Sequence, residues 1–202
     1  MKICGITRPE DALLAEELGA SAVGFVFYPG SPRYIDPEEA KRISGALGPF
    51  ITRVGVFVDE DIGTVQRIVE TAGLTAVQLH GSEDQGYIDA VKGVRVLKAL
   101  RVGPDFDFRL LDRYRVAAFL LDAWSEKEYG GTGRTFDWEK ARECGRYGRI
   151  ILAGGLTASN VEEALATVCP WGVDVSSGVE QSPGIKDHDK LRAFADAVKS
   201  HG

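Results

Sequence analysis

Eight times along its 202 residues this chain repeats one unit: a short β-rich apolar run, a glycine or polar turn, then a stretch with helical spacing. The runs are KICGI (2–6), AVGFVF (22–27), TRVGVFV (52–58), AVQLH (76–80), VRVLKAL (94–100), AAFLLDA (117–123), RIILAGG (149–155) and GVDVSS (172–177). Segments such as EDALLAEELG, DPEEAKRISGAL and NVEEALATV lie between them with apolar residues at helical intervals. Strands alternating with helices indicate a parallel sheet, and eight is the number that closes a (βα)8 TIM barrel over residues 1–202. A doubly wound open sheet is the structural alternative. Its nucleotide-binding form carries a glycine fingerprint after the first strand, and CGITRPED has none. The segment 105–114 is the weakest of the expected helices. Asp36 before Pro37, and Thr157 or Ser159 ahead of Glu162 and Glu163, are expected N-caps, and Gly19 and Gly48 expected helix ends.

Alternation along the strands predicts where chemistry gathers. Side chains two apart share a face. In GVDVSS, Val173 and Val175 oppose Asp174 and Ser176, and in VQLH, Val77 and Leu79 oppose Gln78 and His80. With the valines packed outward on helices, polar groups point inward from strands 1, 4, 6 and 8. Sites of such barrels lie at the C-terminal ends of the strands, with phosphate bound by the loops after strands 7 and 8. Gly154 and Gly155 end strand 7, and Ser176, Ser177 and Gly178 end strand 8. Glycine there lets backbone N–H groups approach an oxyanion.

Each remaining candidate has two readings. Cys4 is either a buried small hydrophobe or a reactive thiol at the barrel rim. Arg33, on the loop FYPGSPRYID between Pro29 and Pro32, is either a surface charge or a guanidinium presented to a carboxylate. Asp122 ends strand 6 ahead of a long stretch with Gly130, Gly131 and Gly133, read as a surface connection or as a lid beside a catalytic carboxyl. Asp137 suits the next helix's N-cap. Lys98 is read as a charge paired with a carboxylate rather than a Schiff-base lysine, and Cys144 and Cys169 are given no role. His80 is the only histidine away from the C-terminal region, where His188 and His201 lie. A catalytic metal needs about three convergent ligands, so no metal is expected.

Composition narrows the partners. The chain is 44% hydrophobic and 27% charged, with net charge -6 and no basic run, which argues against nucleic acid. No signal peptide or membrane-length apolar run is expected. Three cysteines without metal-type spacing suit a reduced, cytoplasmic protein. One Asn and one Met point to a thermophile.

The motifs KICGIT, GFVFYPGSPRYI, VGVFVDE, VQLHG, LLDA…GGTGRTFDW, LAGGL and GVDVSSGVE together closely resemble the phosphoribosylanthranilate isomerase family of tryptophan biosynthesis, from Lys2 to about Asp187. The resemblance implies a (βα)8 barrel that needs no cofactor and performs an Amadori rearrangement of N-(5-phosphoribosyl)anthranilate. It implies that Cys4 is the general base, Asp122 the general acid, Arg33 the ligand of the anthranilate carboxylate, and Gly154, Gly155, Ser176, Ser177 and Gly178 the phosphate loops. Asp174, His80 and Gln78 form a second tier, orienting a sugar hydroxyl or satisfying a polar network. The chemistry then requires a Cys4 thiol below its ordinary pKa and an Asp122 that holds its proton. The rivals are a metal-dependent epimerase, a related sugar isomerase with paired aspartates, and a non-catalytic phosphosugar-binding barrel. Composition also allows a homodimer.

Overall fold

Hydrogen bonding closes the eight runs on themselves. The computed structural model describes residues 1–103, 106–123 and 138–201. The strands are β1 (Lys2–Cys4), β2 (Ala22–Val26), β3 (Thr52–Phe57), β4 (Ala76–Leu79), β5 (Arg95–Val102), β6 (Ala118–Ala123), β7 (Ile150–Ala153) and β8 (Gly172–Val175). Each pairs in parallel with the next, and β1 pairs with β8 through Lys2↔Asp174 and Ile3↔Val175, making a closed (βα)8 barrel. All eight expected strands are present. The outer helices are α1 (Pro9–Glu17), α2 (Pro37–Ala46), α3 (Ile62–Ala72), α4 (Gln85–Ala90), α5 (Trp138–Glu143), α6 (Val161–Val168) and α7 (His188–Ser200). None of the described helices is long and apolar enough to cross a membrane.

The two faces of the sheet separate as alternation requires. Val23, Phe25, Val77, Leu79, Phe119, Leu121, Val173 and Val175 are buried in the large core shared with the helices. The inner face carries two small apolar clusters, one of Cys4, Val26 and Val56, the other of Ala99, Ala118, Leu120, Ile151 and Ala153. The register sets Lys2 beside Asp174, Cys4 beside Gly24, Val56 beside Gln78, and Arg101 beside Asp122. Polar side chains therefore interrupt the inner apolar layers, and a barrel built for packing alone would fill them with branched residues.

Several local expectations change. The segment between β5 and β6 forms a 3₁₀ helix at Phe108–Arg113, with Asp107 accepting from the Arg109 N–H. Asp36 does cap α2, accepting from the Glu38 N–H. The N-cap of α6 is Asn160, not Thr157 or Ser159. Its side chain turns back to the β7–α6 loop, accepting from the Thr157 N–H at 2.8 Å and donating to the Gly155 carbonyl at 3.0 Å. Gly19 ends α1 in the left-handed region at φ 82°. Gly48 has no left-handed φ; it lies past the extended Leu47 and donates its N–H to the Glu16 carboxylate.

An antiparallel hairpin between β8 and α7, β9 (Glu180–Ser182) and β10 (Ile185–Lys186), was not expected from the sequence pattern. Its strands are too short for an alternation to register. Pro183-Gly184 makes its turn, with Gly184 at φ 81°. The expected lid glycines Gly130, Gly131 and Gly133, and the expected cap Asp137, lie outside the described residues.

Candidate active site

The C-terminal ends of the strands enclose a cavity of about 970 Å³. Its walls include every expected site residue: Cys4, Arg33, Gln78, His80, Asp122, Gly154, Gly155, Asp174, Ser176, Ser177 and Gly178.

Cys4 is the last residue of β1 and 8% exposed. The room around its sulfur comes from the adjacent strand. A Cβ on Gly24 would lie 2.8 Å from Cys4 Sγ and 3.1 Å from Lys2 Nζ. Lys2 Nζ donates to both Asp174 oxygens, at 2.9 and 3.0 Å, and its charge acts on the nearby Cys4 sulfur. Burial pushes the Cys4 thiol above its ordinary value, and the Lys2 charge pulls against that rise. The expectation of a lowered thiol therefore does not hold, because desolvation outweighs the cation. For Lys2, burial disfavours the charge but Asp174 and Cys4 more than offset it, and the ammonium is held above the ordinary lysine range.

Asp122 faces the cavity from β6, with β7 and β8 between it and β1 on that side of the barrel. Its side chain is 33% exposed, and its Oδ2 lies 3.3 Å from His80 Nε2. Gln78 Nε2 lies 3.3 Å from His80 Nδ1. With the amide donating there, the ring proton sits on Nε2 and faces Asp122. Gln78, His80 and Asp122 thus form a chain of polar contacts along the wall formed by β4, β5 and β6.

The two glycine-bearing loops meet above β7 and β8. Gly154 and Gly155 adopt φ of 85° and 65°, where side chains are disfavoured. Gly178 packs so close that a Cβ there would lie 1.8 Å from the Leu156 carbonyl oxygen. Ser176 Oγ and Gln78 Oε1 are buried cavity atoms with no hydrogen-bond partner among the described residues. A buried polar group left unpaired costs about 1–3 kcal/mol, so both are poised for a polar ligand.

Arg33 already grips a carboxylate. Its Nε and Nη2 form a bidentate pair with Glu180, with contacts of 2.7 to 3.2 Å. Glu180 also accepts from Lys186 Nζ at 2.9 Å, and Lys186 donates to the backbone carbonyls of Cys4 and Ser176. The hairpin therefore ties Arg33, β1 and the β8 loop into one network. Lys98 points away from the cavity, buried against Glu83 at 2.7 Å, which is the structural role expected of it. Cys144 is buried, with burial pushing its thiol to about 12, and Cys169 is exposed.

Sequence reading missed Lys2, Arg101, Glu180 and Lys186. Arg101 was legible in principle, since Leu97, Ala99 and Arg101 alternate on one face of β5. Lys2 was legible in the same way, two before Cys4 on one face of β1; nothing local marks Glu180 and Lys186, whose partners lie on distant segments.

The comparisons with known proteins agree with this geometry. The family model for N-(5'phosphoribosyl)anthranilate (PRA) isomerase matches residues 1–197. An N-(5'-phosphoribosyl)anthranilate isomerase of Geobacter sp. (strain M21) is 53% identical over 199 residues, covering 98% of this chain and 97% of its own. The crystal structure of phosphoribosyl anthranilate isomerase from Thermotoga maritima superimposes with a TM-score of 0.90 at 46% identity, covering 98% of both chains. A further isomerase structure, in complex with reduced 1-(o-carboxyphenylamino)-1-deoxyribulose 5-phosphate, superimposes with a TM-score of 0.87 at 43% identity, covering 98% of this chain and 97% of its own. On sequence, fold and site together, this chain belongs to the N-(5'-phosphoribosyl)anthranilate isomerase family.

Proposed function

We infer that this chain converts N-(5'-phosphoribosyl)anthranilate to 1-(2-carboxyphenylamino)-1-deoxyribulose 5-phosphate by general acid–base catalysis, as a step of tryptophan biosynthesis. The observation that carries the reading is the placement of a thiol, Cys4, and a carboxyl, Asp122, on separate strands lining one cavity rimmed by two glycine loops.

Asp122 gives its proton to the furanose ring oxygen. The C1–O bond breaks, and the anthranilate nitrogen lone pair forms the C1=N iminium. The Cys4 thiolate then removes the proton from C2, and the C–H electron pair flows toward the iminium nitrogen to give an enolamine. Its tautomerisation, with a proton added at C1, yields the ketone. The iminium is the electron sink, so the reaction needs no cofactor. Each positioned proton transfer supplies about 10²–10⁴-fold. The cationic intermediate also favours the thiolate as it forms.

Gly154, Gly155, Ser176, Ser177 and Gly178 bind the substrate phosphate through backbone N–H groups and the partnerless Ser176 hydroxyl. Arg33, held in place by Glu180, faces the anthranilate carboxylate. Asp174 orients a sugar hydroxyl, and His80 and Gln78 steady Asp122. The enzyme works in the cytoplasm on this small phosphorylated substrate, without nucleic acid or membrane; three cysteines without metal-type spacing support a reducing compartment. It works as a homodimer, with Phe50 (97% exposed) and Trp171 (68% exposed) covered by a second copy.

The test is to mix purified protein with freshly made phosphoribosylanthranilate in chelator and follow the loss of its fluorescence. Turnover supports the reading. Calorimetric binding of the reduced product analogue without turnover would overturn it in favour of a non-catalytic barrel.

A further inference from the structure

The mechanism needs a thiolate, yet burial alone would keep Cys4 a thiol. The group that works against burial lies one layer below the sulfur. Lys2 and Cys4 are two apart on β1 and share its inner face. The single point where a Cβ on Gly24 would sit is 2.8 Å from Sγ and 3.1 Å from Nζ, so the two atoms converge over a glycine that makes room for them. An ammonium has three protons. Asp174 takes two contacts, at 2.9 and 3.0 Å, which leaves a proton for the sulfur that shares the space over Gly24.

We propose that Lys2 is the positioning residue for the base: anchored by Asp174, its ammonium faces the Cys4 sulfur over Gly24 and favours the thiolate that accepts the substrate proton. This rests on Cys4 being the base. The other charges around the sulfur fit the assignment. Lys186, from β10, is tied to the Cys4 carbonyl and its charge is shared with Glu180. Arg33, from the loop after β2, lies beside Gly5 but is paired with Glu180. The Met1 α-amino group interacts with Asp174. Asp122, from β6, repels Asp174. From β2 and β3, Gly24, Val26 and Val56 bring no charge. Lys2 is thus the cation that shares the space over Gly24 with the sulfur and acts on it most.

The test follows alkylation of Cys4 by iodoacetamide against pH, separated from Cys144 and Cys169 by peptide mass spectrometry, with far-UV circular dichroism reporting the fold. In Lys2→Met the titration midpoint moves up and alkylation at neutral pH falls at least about tenfold. Lys2→Arg keeps most of the wild-type rate. In Asp174→Asn the midpoint moves the opposite way, because the ammonium serves the sulfur alone and a repelling carboxylate is gone. The acidic limb of the kcat/KM profile moves with the thiol in each variant. An unchanged midpoint in folded Lys2→Met overturns the proposal. If Lys2→Met fails to fold, Asp174→Asn decides, and an unchanged or higher midpoint there overturns it. A thiol midpoint that moves while the kcat/KM limb stays in place would leave the Lys2–Cys4 contact standing but overturn Cys4 as the base, and with it the part of Lys2 in turnover.

Discussion

At Gly24 one missing carbon decides the geometry around the Cys4 sulfur. Any side chain there meets Cys4 Sγ at 2.8 Å and the Cys4 Cα at 3.2 Å, and neither can swing away cheaply. Gly24→Ala should therefore lower kcat about tenfold or more with little change in KM, and destabilise by about 1–3 kcal/mol, which steady-state kinetics and urea unfolding would check. This residue also marks the limit of legibility. Cys4, Asp122 and Arg33 could be picked out because they sit in motifs shared with a family, and Gln78, His80 and Asp174 because alternation turns them inward. Gly24 reads only as a strand glycine until its neighbour across the sheet is known. Alternation also turns Lys2 inward with Cys4, but its pairing with Asp174, 172 residues away, could not be read.

Among the elements, the hairpin β9–β10 does most that the sequence pattern did not disclose. Its two strands are too short for periodicity, yet it carries Glu180 and Lys186 under the site. Burial pushes the Glu180 carboxyl up, but Arg33 and Lys186 outweigh it and hold the group below the usual carboxylate range. The sign follows directly. A carboxyl depressed in the folded state stabilises above its unfolded pKa, about 4.3 for Glu, and loses that contribution as pH falls through the folded value. Glu180→Gln should thus cost about 3 kcal/mol near pH 7, or about 6–12 °C in Tm. The gap to wild type should shrink below about pH 4. Calorimetric scans at the two pH values check it, and a gap that widens on acidification would contradict the network. The barrel strands were legible because each is a buried apolar run between turn residues. The segment at Phe108–Arg113 and the cap of α6 were not, since both depend on side chains folding back onto loops.

For the whole molecule, the closed barrel sets the division of labour: the inner and C-terminal surfaces hold the site, and the loops at the opposite end hold Phe50, ahead of β3, and Trp171, ahead of β8. If a second copy covers Phe50, Phe50→Asp should shift the protein to monomer in sedimentation velocity with kcat within about twofold, because the cavity lies at the other pole. The (βα)8 architecture was readable because eight repeats leave few closed arrangements, whereas the pairing of polar groups across the lumen depends on register. In the proposed mechanism Cys4 and Asp122 divide the proton transfers between them. Its most direct test is kcat for Cys4→Ser and Asp122→Asn, with binding of the reduced product analogue measured alongside. The account predicts a loss of at least about a hundredfold in kcat for each, with the analogue still bound. A Cys4→Ser variant that turns over as fast as wild type would contradict it.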